Sequence, residues 1–231
     1  MIDCPSPNHD DRNGTRVSMV VLHYTGMESA EAALKRLTDA QAKVSSHYLV
    51  AEDGTVMRLV DESRRAWHAG KSYWRGVTDV NAASVGIEIV NPGHEFGYVP
   101  FSGPQMGAVL RLTAEIVRRH GIKPAMVVGH SDIAPTRKQD PGELFDWALL
   151  ARNGLAYGPV KPIADPLWTD GGTLQALNRF GYDVTDGPAA VRAFQRRFRP
   201  GRIDGVIDGE TRAILLTLLI NEEHAARDAG G

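Results

Sequence analysis

Two short apolar runs, Met19-Val20-Val21-Leu22 and Met126-Val127-Val128-Gly129, are each closed by a histidine, His23 and His130. Runs of this length and β-branched content read as buried strands. Strands buried on both faces need helices to cover them. A histidine closing such a strand sits where the sheet gives way to loop, the edge at which α/β sheets place their sites. The rest of the chain supplies the cover. Residues 28–42 carry Ala32, Ala33, Leu34 and Leu37 among charges, as an amphipathic helix does. Residues 103–120 form a second: Ser102 caps it, Pro104 suits its first turn and Gly121 stops it. Its apolar stripe is Met106, Val109, Leu110, Thr113, Ile116 and Val117. Asp53-Gly54, between the β-rich runs 47–51 and 55–60, marks a hairpin. Residues 85–90 alternate, with Val85, Ile87 and Ile89 on one face and Gly86, Glu88 and Val90 on the other.

Beyond residue 153 the pattern breaks. Gly154, Gly158, Pro159, Pro162, Pro166, Gly171 and Gly172 punctuate a linker that is packed rather than free. Three helical stretches follow, over 174–182, 189–198 and 210–220. The expected fold class is α/β, a central mixed β-sheet flanked by helices, plus a small C-terminal three-helix domain. The expected division is 1–153 for the first domain, 154–172 for the linker, 173–222 for the helical domain and 223–231 for a tail. About fifty residues is marginal for a lone core, so the helical unit should lean on the first.

A formal net charge of −2 leaves no basic footprint for nucleic acid or an anionic membrane, and excludes polyanion binding by bulk charge. Cys4 is the single cysteine, so an intrachain disulfide is excluded and any metal site falls to His and Asp. The start Met1-Ile2-Asp3-Cys4-Pro5 has neither a basic n-region nor an apolar h-region. The expectation is a cytoplasmic protein with no membrane span. The alternative, if a leader was removed, is a periplasmic or outer-membrane-associated one.

His23, His130 and Asp140 are two imidazoles and a carboxylate, the three-ligand set that holds a catalytic zinc and keeps a fourth position for water. On spacing alone, two unrelated core histidines compete with that reading. Glu88 shares its strand face with Gly86, which leaves room beside the carboxylate, and with apolar Val90. A carboxylate beside Zn²⁺ can take a proton and return it to a leaving amine. The competing reading is a solvent-facing polar position. Lys138, two residues before Asp140, can bring an ammonium to a substrate oxygen and steady an oxyanion. An exposed loop lysine is the alternative.

VLHYT at 21–25, VGIEIVN at 85–91 and GHSDIAPTRKQDPG at 129–142 resemble the zinc-dependent N-acetylmuramoyl-L-alanine amidases. That superfamily also holds phage-lysozyme-type amidases and peptidoglycan-recognition proteins. The resemblance spans about residues 1–150, and residues 171–220 resemble a small three-helix peptidoglycan-binding domain. It implies that His23, His130 and Asp140 bind Zn²⁺ and that Glu88 is the general base. It also implies substrate contacts from Tyr24, His47, Trp67 and His68: Trp67 as a plane for a sugar ring, His68 as a polar handle, Tyr24 as a wall. Some members carry tyrosine just before the position of His47; Ser46 stands there, which leaves proton transfer to Glu88. The implied reaction cleaves the amide between N-acetylmuramic acid, or its 1,6-anhydro form, and L-alanine. The partners would be peptidoglycan fragments (anhydro-muropeptides) or the cell wall. A recognition module that binds without cutting is the alternative; such relatives lose a metal ligand, and all three are present. The Asp-Gly pairs within 204–209 lack the ligand spacing of a calcium loop and read as turns.

Overall fold

The apolar runs become the middle of a sheet. The computed structural model describes residues 1–228; residues 229–231, the end of the expected tail, lie outside the described residues. The strands are β1 (Ile2–Asp3), β2 (His9–Asp11), β3 (Met19–Tyr24), β4 (Tyr48–Val50), β5 (Val56–Arg58), β6 (Arg64–Ala66), β7 (Ser84–Ile89) and β8 (Val127–Gly129). The helices are α1 (Ala30–Thr38), α2 (Val80–Ala83), α3 (Gly93–Phe96), α4 (Gly103–His120), α5 (His130–Ile133), α6 (Trp147–Arg152), α7 (Asp170–Phe180), α8 (Gly187–Phe198) and α9 (Gly209–Asp228). Six strands form one mixed sheet in the order β1-β5-β4-β7-β3-β8, and β2 pairs with β6 as a separate ribbon. β3 runs parallel to both β7 and β8, with His23 opposite Glu88. The hairpin at Asp53-Gly54 joins antiparallel β4 and β5.

The two faces of the sheet are covered differently. Val20, Leu22, Val85, Ile87, Ile89 and Val127 pack against Met106, Val109, Leu112 and Ile116 of α4. The Ser102 side chain accepts from the Gln105 N–H at the start of that helix, and Gly121 ends it with φ of 66°. Leu110 and Val117 are only partly buried, while Gln105, Ala108 and Leu112 face the core, so the apolar stripe is rotated from the expected one. On the opposite face, Ala33 and Leu37 of α1 cover Leu49, Met57, Leu59 and Val90. The same face also takes the C-terminal helices: Met19, Val21, Trp74 and Val128 share one core with Leu177, Phe180, Tyr182, Val191, Phe194 and Phe198. Trp74 meets Tyr182 edge-on at 4.9 Å between ring centres. Fully burying a phenylalanine such as Phe180 or Phe194 in that core contributes about 1.5–3 kcal/mol. The helical unit is therefore welded to the sheet by aromatic packing.

Element ends differ from the sequence reading for local reasons. α1 starts only where Ser29 can accept from the Ala32 N–H, and it stops at Asp39. α7 begins at Asp170 under a Thr169 cap, so the expected linker ends inside its first turn. α9 continues to Asp228, through most of the expected tail. The linker is packed: Leu155 and Ala156 are buried, and Asp165 pairs with Arg212 at 2.7 Å. No helix among the described residues is long and apolar enough to cross a membrane.

Candidate metal centre

His23 leaves the end of β3 on the face it shares with Met19 and Val21. His130 follows β8 directly, opening the short helix α5. The chain then loops back so that the Ser131 N–H donates to the Asp140 carbonyl at 2.8 Å. That closure brings three donors together. His23 Nδ1, His130 Nδ1 and Asp140 Oδ2 lie 3.0 Å from one another on every side of the triangle. Ligand atoms about 2.0–2.1 Å from a tetrahedral zinc stand roughly 3.3 Å apart, so the triangle fits such an ion with only a slight expansion. All three residues are buried.

The remaining ring nitrogens are committed in a way that leaves both Nδ1 lone pairs pointing inward. His130 Nε2 donates to the Ala69 carbonyl at 3.1 Å. His23 Nε2 lies 3.0 Å from His68 Nδ1, and His68 Nε2 lies 3.2 Å from Ser84 Oγ. Ser84 Oγ gives its own proton to the Val80 carbonyl at 2.5 Å, so it accepts from His68 Nε2. His68 Nδ1 is then an acceptor, and His23 must donate from Nε2. Outer partners of this kind fix the tautomer and orientation of metal-binding imidazoles. Gly86 makes the relay possible: a Cβ there would stand 2.6 Å from His68 Cγ.

Electrostatics agree with a cation site. Burial, followed by the neighbouring His130, lowers the His23 imidazole to about 4, so it is neutral at pH 7. Burial alone would raise the Asp140 carboxyl, but the two imidazoles outweigh it and hold the group far below the usual carboxylate range. Glu88 is pushed the other way, well above its ordinary value, by burial and then by the Asp140 charge, with Lys138 opposing. Its Oε2 is out of contact with solvent and has no hydrogen-bond partner among the described residues.

A cleft of about 610 Å³ opens over these groups. His23, Tyr24, His68, Glu88, His130, Lys138 and Asp140 line it. Tyr24 forms a wall, its hydroxyl 2.9 Å from His94 Nδ1. Three of the expected substrate contacts are elsewhere or otherwise engaged. His47 is fully buried: its Nδ1 accepts from the Gly86 N–H at 2.9 Å and its Nε2 rests against the Arg64 carbonyl and the Arg12 guanidinium, leaving no edge for a ligand. Trp67 is turned toward the β2–β6 ribbon, where its Nε1 donates to Asp10 at 2.6 Å, and it does not line the cleft. His68 lines the cleft, but both of its ring nitrogens are engaged, one with His23 and one with Ser84. Ser84 goes unnoticed in the sequence, and Arg137, to which the sequence assigns no role, uses its Nη2 to clamp the Ala69 and Lys71 carbonyls at 2.5 and 2.6 Å. Arg137 lay within a quoted motif; Ser84 carried no signal, being ordinary in a strand.

The sequence profile of the N-acetylmuramoyl-L-alanine amidases matches residues 13–143. The N-acetylmuramoyl-L-alanine amidase AmiD of Escherichia coli (strain K12) is 38% identical, over 88% of this chain and 83% of that protein. The crystallised complex of AmiD from E. coli with the substrate anhydro-N-acetylmuramic acid-L-Ala-D-γ-Glu-L-Lys superposes with a TM-score of 0.80, at 35% identity, covering 93% of this chain and 98% of that one. AmpDh3 from Pseudomonas aeruginosa, in complex with an anhydromuramic pentapeptide, superposes at 0.77 with 33% identity, covering 88% and 91%.

Proposed function

The chain belongs to the N-acetylmuramoyl-L-alanine amidase family, and from that premise we propose how its own residues carry out the reaction. The protein is an amide hydrolase that separates N-acetylmuramic acid from L-alanine in peptidoglycan fragments. Its substrate is proposed to include 1,6-anhydro-muropeptides, the ligand class held by the superposed relatives. The resident ion is proposed to be zinc, held by His23 Nδ1, His130 Nδ1 and Asp140 Oδ2. The observation that carries this reading is the equilateral set of donors, with the remaining ring N–H of each imidazole engaged outside the triangle.

A zinc ion held by these three residues would supply Lewis acidity toward the scissile carbonyl and would lower the pKa of a water to about 7. The protein's part is to place charge and move protons. Glu88, register partner of His23, takes the proton of the attacking water and returns it to the alanine nitrogen. Its place on the cleft wall and its uncommitted Oε2 support that role, because a carboxylate oxygen with no other partner is available to exchange a proton. Lys138 steadies negative charge on the carbonyl oxygen; its place on the cleft wall supports this. Tyr24 bounds the sugar side of the cleft. We assign catalysis to residues 1–153, joined by a linker over 154–172 to the helical unit of 173–222.

Incubation of the zinc-supplemented protein with an anhydromuramyl-L-alanyl peptide tests the activity. Free peptide with an L-alanine N-terminus is expected. Tight binding without cleavage would instead indicate a recognition module. Glu88→Gln keeps the shape of the side chain and should lower turnover by about 10²–10⁴ with zinc still bound. Unchanged turnover in that variant removes Glu88 from the mechanism.

A further inference from the structure

Asp132 is wholly buried, and the reaction makes no use of it. Its Oδ2 accepts from the Gly129 N–H at 2.8 Å and from Arg197 Nη1 at 2.7 Å, while its Oδ1 accepts from the Tyr182 hydroxyl at 2.6 Å. Gly129 precedes His130, and Asp132 follows it by two residues. Arg197 belongs to α8 and Tyr182 to the α7–α8 connection, so both reach in from the helical unit. The remaining donors of Arg197 are also spent inside: Nη2 on the Tyr157 carbonyl at 2.7 Å and on the Val127 carbonyl at 3.1 Å, at the foot of β8. Its guanidinium lies 3.9 Å from the centre of the Trp147 ring.

The adjacent Arg196 extends toward the far end of the same loop. Its Nη2 is 3.5 Å from Gln139 Oε1 and its Nε is 3.8 Å from Glu143 Oε2, on either side of Asp140 in sequence. One helix thus holds the 129–143 loop at both ends, and that loop supplies two of the three metal donors. A buried ion pair adds little net stability compared with apolar packing, though losing one partner is costly. What this pair does supply is direction, since a carboxylate with three fixed donors has one orientation.

We propose that the helical unit is a positioning element of the metal centre. Arg197 and Tyr182 fix Asp132, Asp132 fixes the Gly129 N–H, and the turn presenting His130 Nδ1 and Asp140 Oδ2 is set by that chain of bonds. The inference rests on the metal reading above. It assigns the unit a task at the reaction centre whether or not it also meets the cell wall.

The test measures zinc affinity by competition with a chromophoric chelator, together with the visible absorption of the cobalt-substituted protein and thermal unfolding. The full-length protein is compared with Arg197→Met, Arg197→Lys, Tyr182→Phe and Glu222→Gln. Arg197→Met should weaken zinc binding by about tenfold or more and alter the cobalt bands, as loss of an outer partner does. Arg197→Lys should recover part of the affinity. Tyr182→Phe removes one hydroxyl and carries the test should Arg197→Met not fold; a weaker loss of affinity is expected. Glu222→Gln breaks a different ion pair of the helical unit, Arg75–Glu222 at 2.6 Å, which involves no residue of the 129–143 loop. It should change only the unfolding temperature. Wild-type zinc affinity and cobalt bands in folded Arg197→Met or Tyr182→Phe overturn the proposal. A wild-type protein that binds no zinc defeats the metal reading itself, which is a different result.

Discussion

Gly86→Ala tests the histidine relay with a single methyl group. Gly86 sits on β7, one position along the face from Glu88, and its missing side chain is the space His68 occupies. The added Cβ would lie 2.6 Å from His68 Cγ, 2.7 Å from Nδ1 and 2.8 Å from Cδ2. The ring must retreat by roughly 0.9 Å to reach ordinary carbon–carbon contact near ~3.5 Å. It cannot do so and keep both of its bonds, at 3.0 Å to His23 and 3.2 Å to Ser84. His23 is then free to carry its proton on Nδ1, where the metal needs a lone pair. Overpacking of this size costs about 1–3 kcal/mol of stability, and loss of an outer partner costs about 10–100-fold in metal affinity. Chelator competition should show the second and denaturant unfolding the first. The double variant His68→Ala/Gly86→Ala should bind zinc no more weakly than His68→Ala alone, because the ring that clashes is gone. Native zinc affinity in folded Gly86→Ala would refute the relay.

Two more expectations concern other residues. Lys138→Met should lower turnover by about 10²–10³ with zinc content intact; Lys138→Arg should recover little, since a planar fork is a poor substitute for a point charge. Either an unchanged rate or lost zinc would contradict the oxyanion role. His47 gives a pH signature: burial and then the Arg12 guanidinium lower it from 6.5 to about 3 in the folded state. Below about 6.5 the unfolded chain takes up a proton that the folded one refuses, so this contribution to stability is present above that pH and lost toward 3. The slope is at most about 1.4 kcal/mol per pH unit. Denaturant titrations between pH 6 and 4 should be shallower for His47→Gln than for wild type; equal slopes would show that His47 is not held neutral.

The candidate metal donors were legible because each stands at a fixed place in a local pattern. His23 and His130 close apolar strands, and Asp140 sits in a motif that only a constrained loop needs. α4 was readable from its cap, its proline and its glycine. The surroundings of His47 and Trp67 were not. Whether His47 faces a cleft or a core depends on Arg12 and Gly86, which reach it from distant segments. Trp67 turned outward because Asp10 on a neighbouring strand offers its indole an acceptor. Asp132 was in plain view within the quoted motif, but its partners lie 50 and 65 residues away, beyond any periodicity.

The position of β3 also bears on synthesis. Both of its hydrogen-bonding edges are claimed by strands from far later in the chain, β7 and β8. A nascent polypeptide leaving the ribosome therefore carries an unpaired apolar ribbon until residue 129 has emerged. Such nonlocal parallel pairing is slow and leaves strand edges open to other molecules. Growth conditions that slow translation or overload chaperones should hurt the yield of this protein more than its native stability suggests.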